Sequence, residues 1–306
     1  MSDRIAVILN PAAGGGRARR ILGRVREAFA RLGGGPVLLT ERAGDERRLV
    51  RLALDAGART IVAVGGDGTW SKVADAIAGS RADVRLALIA AGTGNDFARS
   101  LDVPARDIEQ TARLAADETA ERRIDLLRID RRRHVLNVAG VGFDAVVAER
   151  VARALLPRAA AYVSSALAEL FRFRGFVVAE DGVAGRHLLM LALANGRHFG
   201  GAFEIAPQAI LDDGLMDVVA IGDASPLARL GLFAAALRGR HIAMPGVESR
   251  RLAALTLRFP SPPLLEVDGD LHRADAAEVV VDCLPGALRV VTPAGGSRRS
   301  PRGSAR

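Results

Sequence analysis

The chain has 306 residues, 49% of them hydrophobic, and a net charge of +8 from 43 Lys and Arg against 35 Asp and Glu. That length can bury one large core or two medium ones. The lone cysteine, Cys283, excludes an internal disulfide and suits a reducing compartment. The apolar stretch at Met1 to Pro11 is too short for a signal peptide, and no apolar run approaches the ~18 residues that span a bilayer.

Lys72 is the only lysine, and nothing matches a P-loop. Arg298, Arg299, Arg302 and Arg306 lie in a Gly/Ser/Pro-rich tail, residues 294–306, that reads as disordered. With 4% aromatic residues and no stacking motif, the expectation is no nucleic acid partner. A phosphorylated ligand or an anionic membrane suits the charge at least as well.

From residue 4 to about 124, strands alternate with helices. Arg4 to Leu9 reads as a strand, Asn10 to Gly16 as a turn and Arg17 to Leu32 as a helix. Val37 to Thr40 and Asp45 to Ala56 repeat the pattern. The apolar run Ile61 to Val64 enters Gly65-Gly66-Asp67-Gly68-Thr69, and a helical segment follows. The strand Leu86 to Ala90 enters Ala91-Gly92-Thr93-Gly94-Asn95-Asp96-Phe97-Ala98-Arg99. This alternation predicts a parallel sheet covered by helices on both faces, with ligands at the C-terminal strand ends. All the Gly-rich turns fall there.

After residue 125 the rhythm changes to short strands and turns, as in Ile124 to Ile129, His134 to Val138, Phe176 to Ala179, Leu188 to Ala194, Leu215 to Ile221, Ala254 to Phe259 and Leu264 to Val267. That spacing predicts a mainly antiparallel sandwich, interrupted by helical segments at Ala148 to Phe173 and Pro226 to Leu237. The boundaries expected are 1–124 for a nucleotide-binding α/β domain, completed by a strand at 284–293, and 125–283 for a β-rich substrate domain.

The turn Gly65 to Thr69 carries the first chemistry. Glycines let the backbone approach a ligand, and a helix N-terminus favours phosphate. Asp67 would repel phosphate unless a cation such as Mg²⁺ lies between them, so the stretch suggests a metal–nucleotide site. Taken alone, either Gly-rich turn could be an ordinary strand–helix connection capped by Asn95 or Asp96. Asp212-Asp213-Gly214 alone reads better as a hairpin turn.

Taken in order, the motifs resemble the diacylglycerol kinase catalytic family, specifically the soluble bacterial lipid kinases related to sphingosine and ceramide kinases. The resemblance rests on Asn10-Pro11, Gly65 to Thr69, Gly92 to Arg99, Gly140 to Ala145, Ala194-Asn195-Gly196, Gly200-Gly201, Ala206-Pro207, Leu211 to Leu215 and Val267-Asp268-Gly269-Asp270. It covers residues 4 to 293 and implies the family's fold, an NAD-kinase-like α/β domain with a β-sandwich.

The resemblance implies an ATP site at Asn10, Pro11, Gly14, Thr40, Gly65, Gly66, Asp67, Gly68, Thr69, Thr93 and Asn95. It implies Mg²⁺ beside Asp67, and a structural Mg²⁺ held by Asp213 and the carbonyls of Ile210 and Leu215. Asp96 and Asp144 become substrate candidates, Asp144 equally a helix N-cap. Asp268-Gly269-Asp270 stands where the family has Asp-Gly-Glu, whose glutamate accepts the proton of the lipid hydroxyl. The shorter aspartate leaves the base open between Asp270 and Asp268. Ser71-Lys72 also departs from the family's usual Asn-Glu.

The resulting expectation is ATP- and Mg²⁺-dependent transfer of the γ-phosphoryl group to a lipid hydroxyl. Diacylglycerol is the first candidate, with ceramide, a sphingoid base and phosphatidylglycerol as alternatives. An NAD kinase and a non-catalytic lipid-binding protein are the readings of other classes. The expected location is cytoplasmic and peripheral at the inner membrane surface, touching anionic lipid transiently; a homodimer is left open. Segment 226–241, with Leu227, Leu230, Phe233, Ala234 and Leu237 at helical spacing, reads as a helix packed on the core or lying on that surface.

Overall fold

The computed structural model describes residues 5–153, 169–182 and 185–293. The chain opens with β1 (Ile5–Leu9), α1 (Ala13–Ala30), β2 (Val37–Leu39), α2 (Asp45–Asp55), β3 (Thr60–Gly65), α3 (Asp67–Ser80), β4 (Arg85–Ala90), α4 (Asp96–Leu101) and α5 (Ile108–Ala116). Then come β5 (Glu121–Ile129), β6 (Arg133–Val135), β7 (Val138–Gly142), α6 (Phe143–Arg153), β8 (Phe176–Glu180), β9 (Arg186–Ala194), β10 (His198–Phe199), β11 (Phe203–Glu204) and β12 (Met216–Gly222). The last elements are α7 (Pro226–Ala236), a 3-10 turn (Arg240–Ala243), β13 (Val247–Leu252), β14 (Ala254–Arg258), β15 (Leu264–Val267), β16 (Asp270–Arg273) and β17 (Glu278–Val291). Two compact units result. The first takes the chain to Leu126, Leu211–Asp213 and the chain from Leu284; the second takes Leu127–Ile210 and Gly214–Cys283.

The first unit is α/β. Its parallel strands run in the order β2, β1, β3, β4, and the end of β17 joins β4, with Val290 beside Leu86. Buried parallel strands are apolar on both faces. Val7, Leu9, Val62, Val64, Ala87 and Ile89 pack towards Val25 and Phe29 of α1 and Ile108, Ala112 and Ala115 of α5. The alternate residues Ile8, Ile61, Ala63, Leu86 and Leu88 are also buried, and α3 packs on β3 with the Trp70 indole N–H donating to the Ala63 carbonyl at 3.1 Å.

The second unit is mostly antiparallel. β9 pairs with β7, β8 and β12, β15 pairs with β7 and β16, and β14 pairs with β8 and β17. Leu191, Leu193, Val218 and Ala220 enter one core with Leu255, Leu257, Val279 and Val281. Their neighbours Ala192, Ala194, Val219 and Ile221 face the other way and pack with Phe143 and Val147 of α6 and Leu232 of α7. Both faces of this sheet are therefore covered, which explains the long apolar runs of β9 and β12.

Three local expectations need correction. His134 to Val138 is not one strand: it breaks between β6 and β7 because the N–H groups of Leu136, Asn137 and Val138 turn to the Asp268 carboxylate, at 2.8, 2.8 and 3.0 Å. Helix 143–153 starts at Phe143, so Asp144 lies in its first turn and is not its cap. Segment 226–241 is helical only to Ala236 before the 3-10 turn. Residues 154–168 of the expected helical segment and the tail 294–306 lie outside the described residues. Among the described residues no helix is long and apolar enough to cross a membrane.

Candidate functional site

In the first unit the C-terminal ends of four parallel strands are tied together. Beyond β1, the Asn10 N–H donates to the Val64 carbonyl at 3.0 Å, and its side-chain amide donates to Thr69 Oγ1 at 3.1 Å. Beyond β2, the Thr40 N–H donates to the Leu9 carbonyl at 3.0 Å, and Thr40 is buried. Beyond β4, the N–H groups of Ala91 and Gly92 both donate to the Gly65 carbonyl, at 2.7 and 3.0 Å. Arg17 reaches from α1 to the Gly92 carbonyl at 2.9 Å. Asn10, Thr40, Gly65 to Thr69 and Gly92 to Asn95 are thus brought into one group of turns.

Close backbone approach explains two of the glycines. A Cβ on Gly92 would lie 2.5 Å from Gly66 Cα. A Cβ on Gly14 would overlap the Ala91 carbonyl oxygen, and Gly14 has φ +61°. Its neighbours Pro11 and Ala12 hold a tight turn, in which Asn10 Oδ1 accepts the Ala12 N–H at 3.0 Å. Thr93 is exposed.

No side chain caps the N-terminus of α3, which leaves it suited to an anion. Helix α4 is different. Its N-cap residue Asn95 is left-handed, with φ +54°, and points its amide at the Gly92 carbonyl at 3.1 Å. The Phe97 N–H of α4 instead donates to Asp67 Oδ1 at 3.1 Å, so the carboxylate of one turn caps the helix of the next. Burial pushes the Asp67 carboxyl above its ordinary range, and the N–H groups of Phe97, Asn95 and Asp96 oppose the shift. Asp96 is buried, with Arg99 at 3.1 Å.

The oxygen donors suit a hard cation. Asn95 Oδ1 is buried with no hydrogen-bond partner among the described residues. A cation beside Asp67 would favour the charged carboxylate that burial disfavours. Among the described residues no three His, Cys, Asp or Glu side chains converge as a metal site. A Mg²⁺ here would complete its shell from carbonyls, water or phosphate. Of the other implied ligands, Asp213 belongs to the first unit, and Ile210 and Leu215 to the second. Neighbouring Asp212 is held by Arg122 at 2.6 Å, and the Asp125 N–H donates to the Leu211 carbonyl at 2.7 Å.

In the second unit, Asp268 has φ +50° and Gly269 φ +93°, a tight turn between β15 and β16. Both carboxylate oxygens of Asp268 accept backbone N–H groups, those of Leu136, Asn137 and Val138. Glu266 Oε1 accepts the Gly269 N–H, which fixes the turn from behind. Asp270 opens β16.

The sequence does not single out Glu266. Its only signal is an acidic residue inside an apolar strand, two positions before Asp268. Glu266 pairs in register with Gly140, where a Cβ would overlap Asp144 Oδ2. Burial raises the Asp144 carboxyl to about 7, moderated by the N–H groups of Ala145 and Asp144 itself, though neither oxygen makes a well-formed hydrogen bond among the described residues. Burial likewise raises Glu266 well above its ordinary range, reinforced by the charges of Asp144, Asp268 and Asp270.

Residues 4–129 match the family model described as the diacylglycerol kinase catalytic domain, and residues 137–292 match the YegS C-terminal NAD kinase beta sandwich-like domain. A Pseudomonas aeruginosa protein named "Probable lipid kinase YegS-like" is 35% identical over 96% of this chain and 95% of its own. A Mycobacterium tuberculosis protein named diacylglycerol kinase is 31% identical over 95% of each. The crystal structure of "a putative diacylglycerol kinase" from Bacillus anthracis shares the fold, with a TM-score of 0.77 at 22% identity over 96% of this chain and 98% of that one.

Proposed function

We propose a function from one premise: the chain belongs to the diacylglycerol kinase catalytic-domain family, over both its α/β and its β-sandwich-like parts. It is an ATP-dependent lipid kinase that transfers the γ-phosphoryl group to a lipid hydroxyl, most directly that of diacylglycerol. The observation that carries this reading is the meeting of Gly66 and Gly92 beside an uncapped helix N-terminus and the Asp67 carboxylate.

Phosphoryl transfer needs positioning and charge neutralisation more than covalent chemistry. The missing Cβ atoms at Gly66 and Gly92 let the two turns close on each other, which leaves the uncapped N-terminus of α3 to receive phosphate, with Asn10, Thr40 and Thr69 at the strand ends beside it. Asp67 would hold Mg²⁺ there, and the ion would supply charge neutralisation when bound.

The acceptor of the hydroxyl proton is Asp270. Asp268 is the weaker candidate because its oxygens are engaged by three backbone donors, which makes it the residue that positions the turn. Asp96 is a candidate for holding substrate. Asp144 is a weaker one, since it is buried against Glu266.

The test is transfer of label from ATP to diacylglycerol, ceramide, a sphingoid base and phosphatidylglycerol in mixed micelles. Product with diacylglycerol alone supports the reading; product with another lipid moves the substrate. NADP from ATP and NAD, with no lipid product, replaces it. Asp67→Asn keeps the acceptor oxygen for the Phe97 N–H but removes the charge. It should lower turnover by roughly 10² or more with an unchanged melting curve. Near-normal turnover would sink the proposed role of Asp67.

A further inference from the structure

Helix α7 is built inside out. In a helix that borders water, charges face solvent and apolar residues face the core. The only charged residue of α7, Arg229, is buried. It donates to Asp223 at 2.5 Å, to the Ala224 carbonyl at 2.9 Å and to the Leu170 carbonyl at 2.7 Å. The inner face is apolar as well: Leu232 and Ala236 are buried, and Phe233 packs on Phe143 and Phe203.

The outer face has no charge. Leu227, Ala228, Leu230, Gly231 and Ala234 are all exposed, and Leu237 continues the row just past the helix end. Positions 227, 230, 234 and 237 follow helical spacing and share one side. Leu227 is 78% exposed, Leu230 39% and Leu237 49%. Phe171, 61% exposed, lies at the open cleft it shares with Pro226, Arg172, Arg174 and Arg229. A contiguous exposed apolar patch of this kind marks an interaction surface.

The rim of the patch identifies what covers it. Arg172 and Arg174 stand on one side and Arg238 and Arg240 at the C-terminal end of α7, all four exposed. Asp223, the acid among the residues lining the cleft, is engaged by Arg229. Leucine and phenylalanine side chains flanked by arginines on one side and at one end complement an acyl layer beneath anionic headgroups. At 11 residues α7 is too short to cross a bilayer, so it would lie in the interface plane.

We propose that the outer face of α7, with Leu227, Leu230, Leu237 and Phe171 as the apolar contacts and Arg172, Arg174, Arg238 and Arg240 as the basic rim, docks the protein on an anionic phospholipid surface. This deepens the lipid-kinase reading and takes from it only that the acceptor resides in a bilayer. Phe233, at the same spacing, is excluded from the contact because it packs inward.

The experiment is sedimentation of the full chain with phosphatidylcholine vesicles, with and without phosphatidylglycerol. The wild type should bind the anionic vesicles and bind neutral ones weakly. Leu227→Gln with Leu230→Gln should lower partitioning to anionic vesicles by about tenfold or more, with an unchanged melting curve. Arg238→Gln with Arg240→Gln should lower it about as much, and remove the preference for anionic lipid. Activity on lipid in mixed micelles should not change in either variant.

Vesicle binding at the wild-type level in the leucine variant would overturn the proposal. So would conversion of a dimer to a monomer in that variant with vesicle binding intact, because a second copy would then be what covers the face. If the wild type phosphorylates no lipid but loses vesicle binding in the variants, the kinase reading fails and the docking surface stands.

Discussion

Three backbone N–H groups converge on Asp268 from a segment more than 120 residues earlier in the chain. An asparagine there would turn an N–H₂ group towards at least one of those donors. Asp268→Asn should therefore destabilise the protein by roughly 1–3 kcal/mol, seen as a lower melting temperature. Asp270→Asn should instead leave melting unchanged and lower kcat by about 10²–10⁴, the usual effect of losing a proton acceptor. The opposite pattern would exchange the two roles. Behind them, Asp144 predicts a pH dependence. Its carboxyl stands at about 7 in the folded chain against an ordinary 3.8, so the native state keeps a proton that the unfolded chain releases. That contribution is full below about pH 4 and is lost as pH rises towards 7. Glu266, also raised, acts with the same sign. Denaturant unfolding of Asp144→Asn should show a flatter decline over that window than the wild type, and a wild-type slope would refute the assignment.

At the scale of elements, what could be read in advance was local. Apolar runs ending in Gly-Gly-Asp-Gly-Thr and Gly-Thr-Gly-Asn-Asp mark strands, turns and helix starts by short-range chemistry. What could not be read was set by distant residues. Asp67 caps a helix 30 positions away, so neither Asn95 nor Asp96 is the side-chain cap the sequence offers. The break between β6 and β7 is set by Asp268, and the apolar spacing of α7 does not say which side faces inward, because both sides are apolar. The pairing of β3 with β4 yields a sharp prediction. Gly92→Ala forces a Cβ to within 2.5 Å of Gly66 Cα, a contact with backbone that no rotamer can relieve. Nucleotide affinity, measured by calorimetry, should fall by about tenfold or more, whereas Gly68→Ala, where a Cβ meets nothing within 4 Å, should fall far less.

Over the whole molecule, the α/β unit is discontinuous in sequence. Residues from Leu284 return to it: Val290 pairs beside Leu86, the Gly286 N–H donates to Asp125 Oδ1 at 2.7 Å, and Arg289 meets Asp83 at 2.9 Å and Glu121 at 2.5 Å. Leu288 and Val290 are buried there. A chain ending at Cys283 would leave β4 an open edge. It should lose the cooperative melting transition, followed by the fluorescence of the single, buried Trp70; a transition at the wild-type temperature would show the returning strand to be dispensable.

The returning strand also sets a timetable. A ribosome that has released residue 126 has made every Gly-rich turn of the α/β unit but not the strand that closes its sheet. Roughly 160 residues remain, about 8–30 s of synthesis at the usual elongation rates. During that interval the edge of β4 and the apolar side chains due to meet Leu288 and Val290 are unguarded. The burden of keeping them from other nascent chains falls on the cell's chaperones, so yield in a heterologous host should depend on translation speed over the second half of the message.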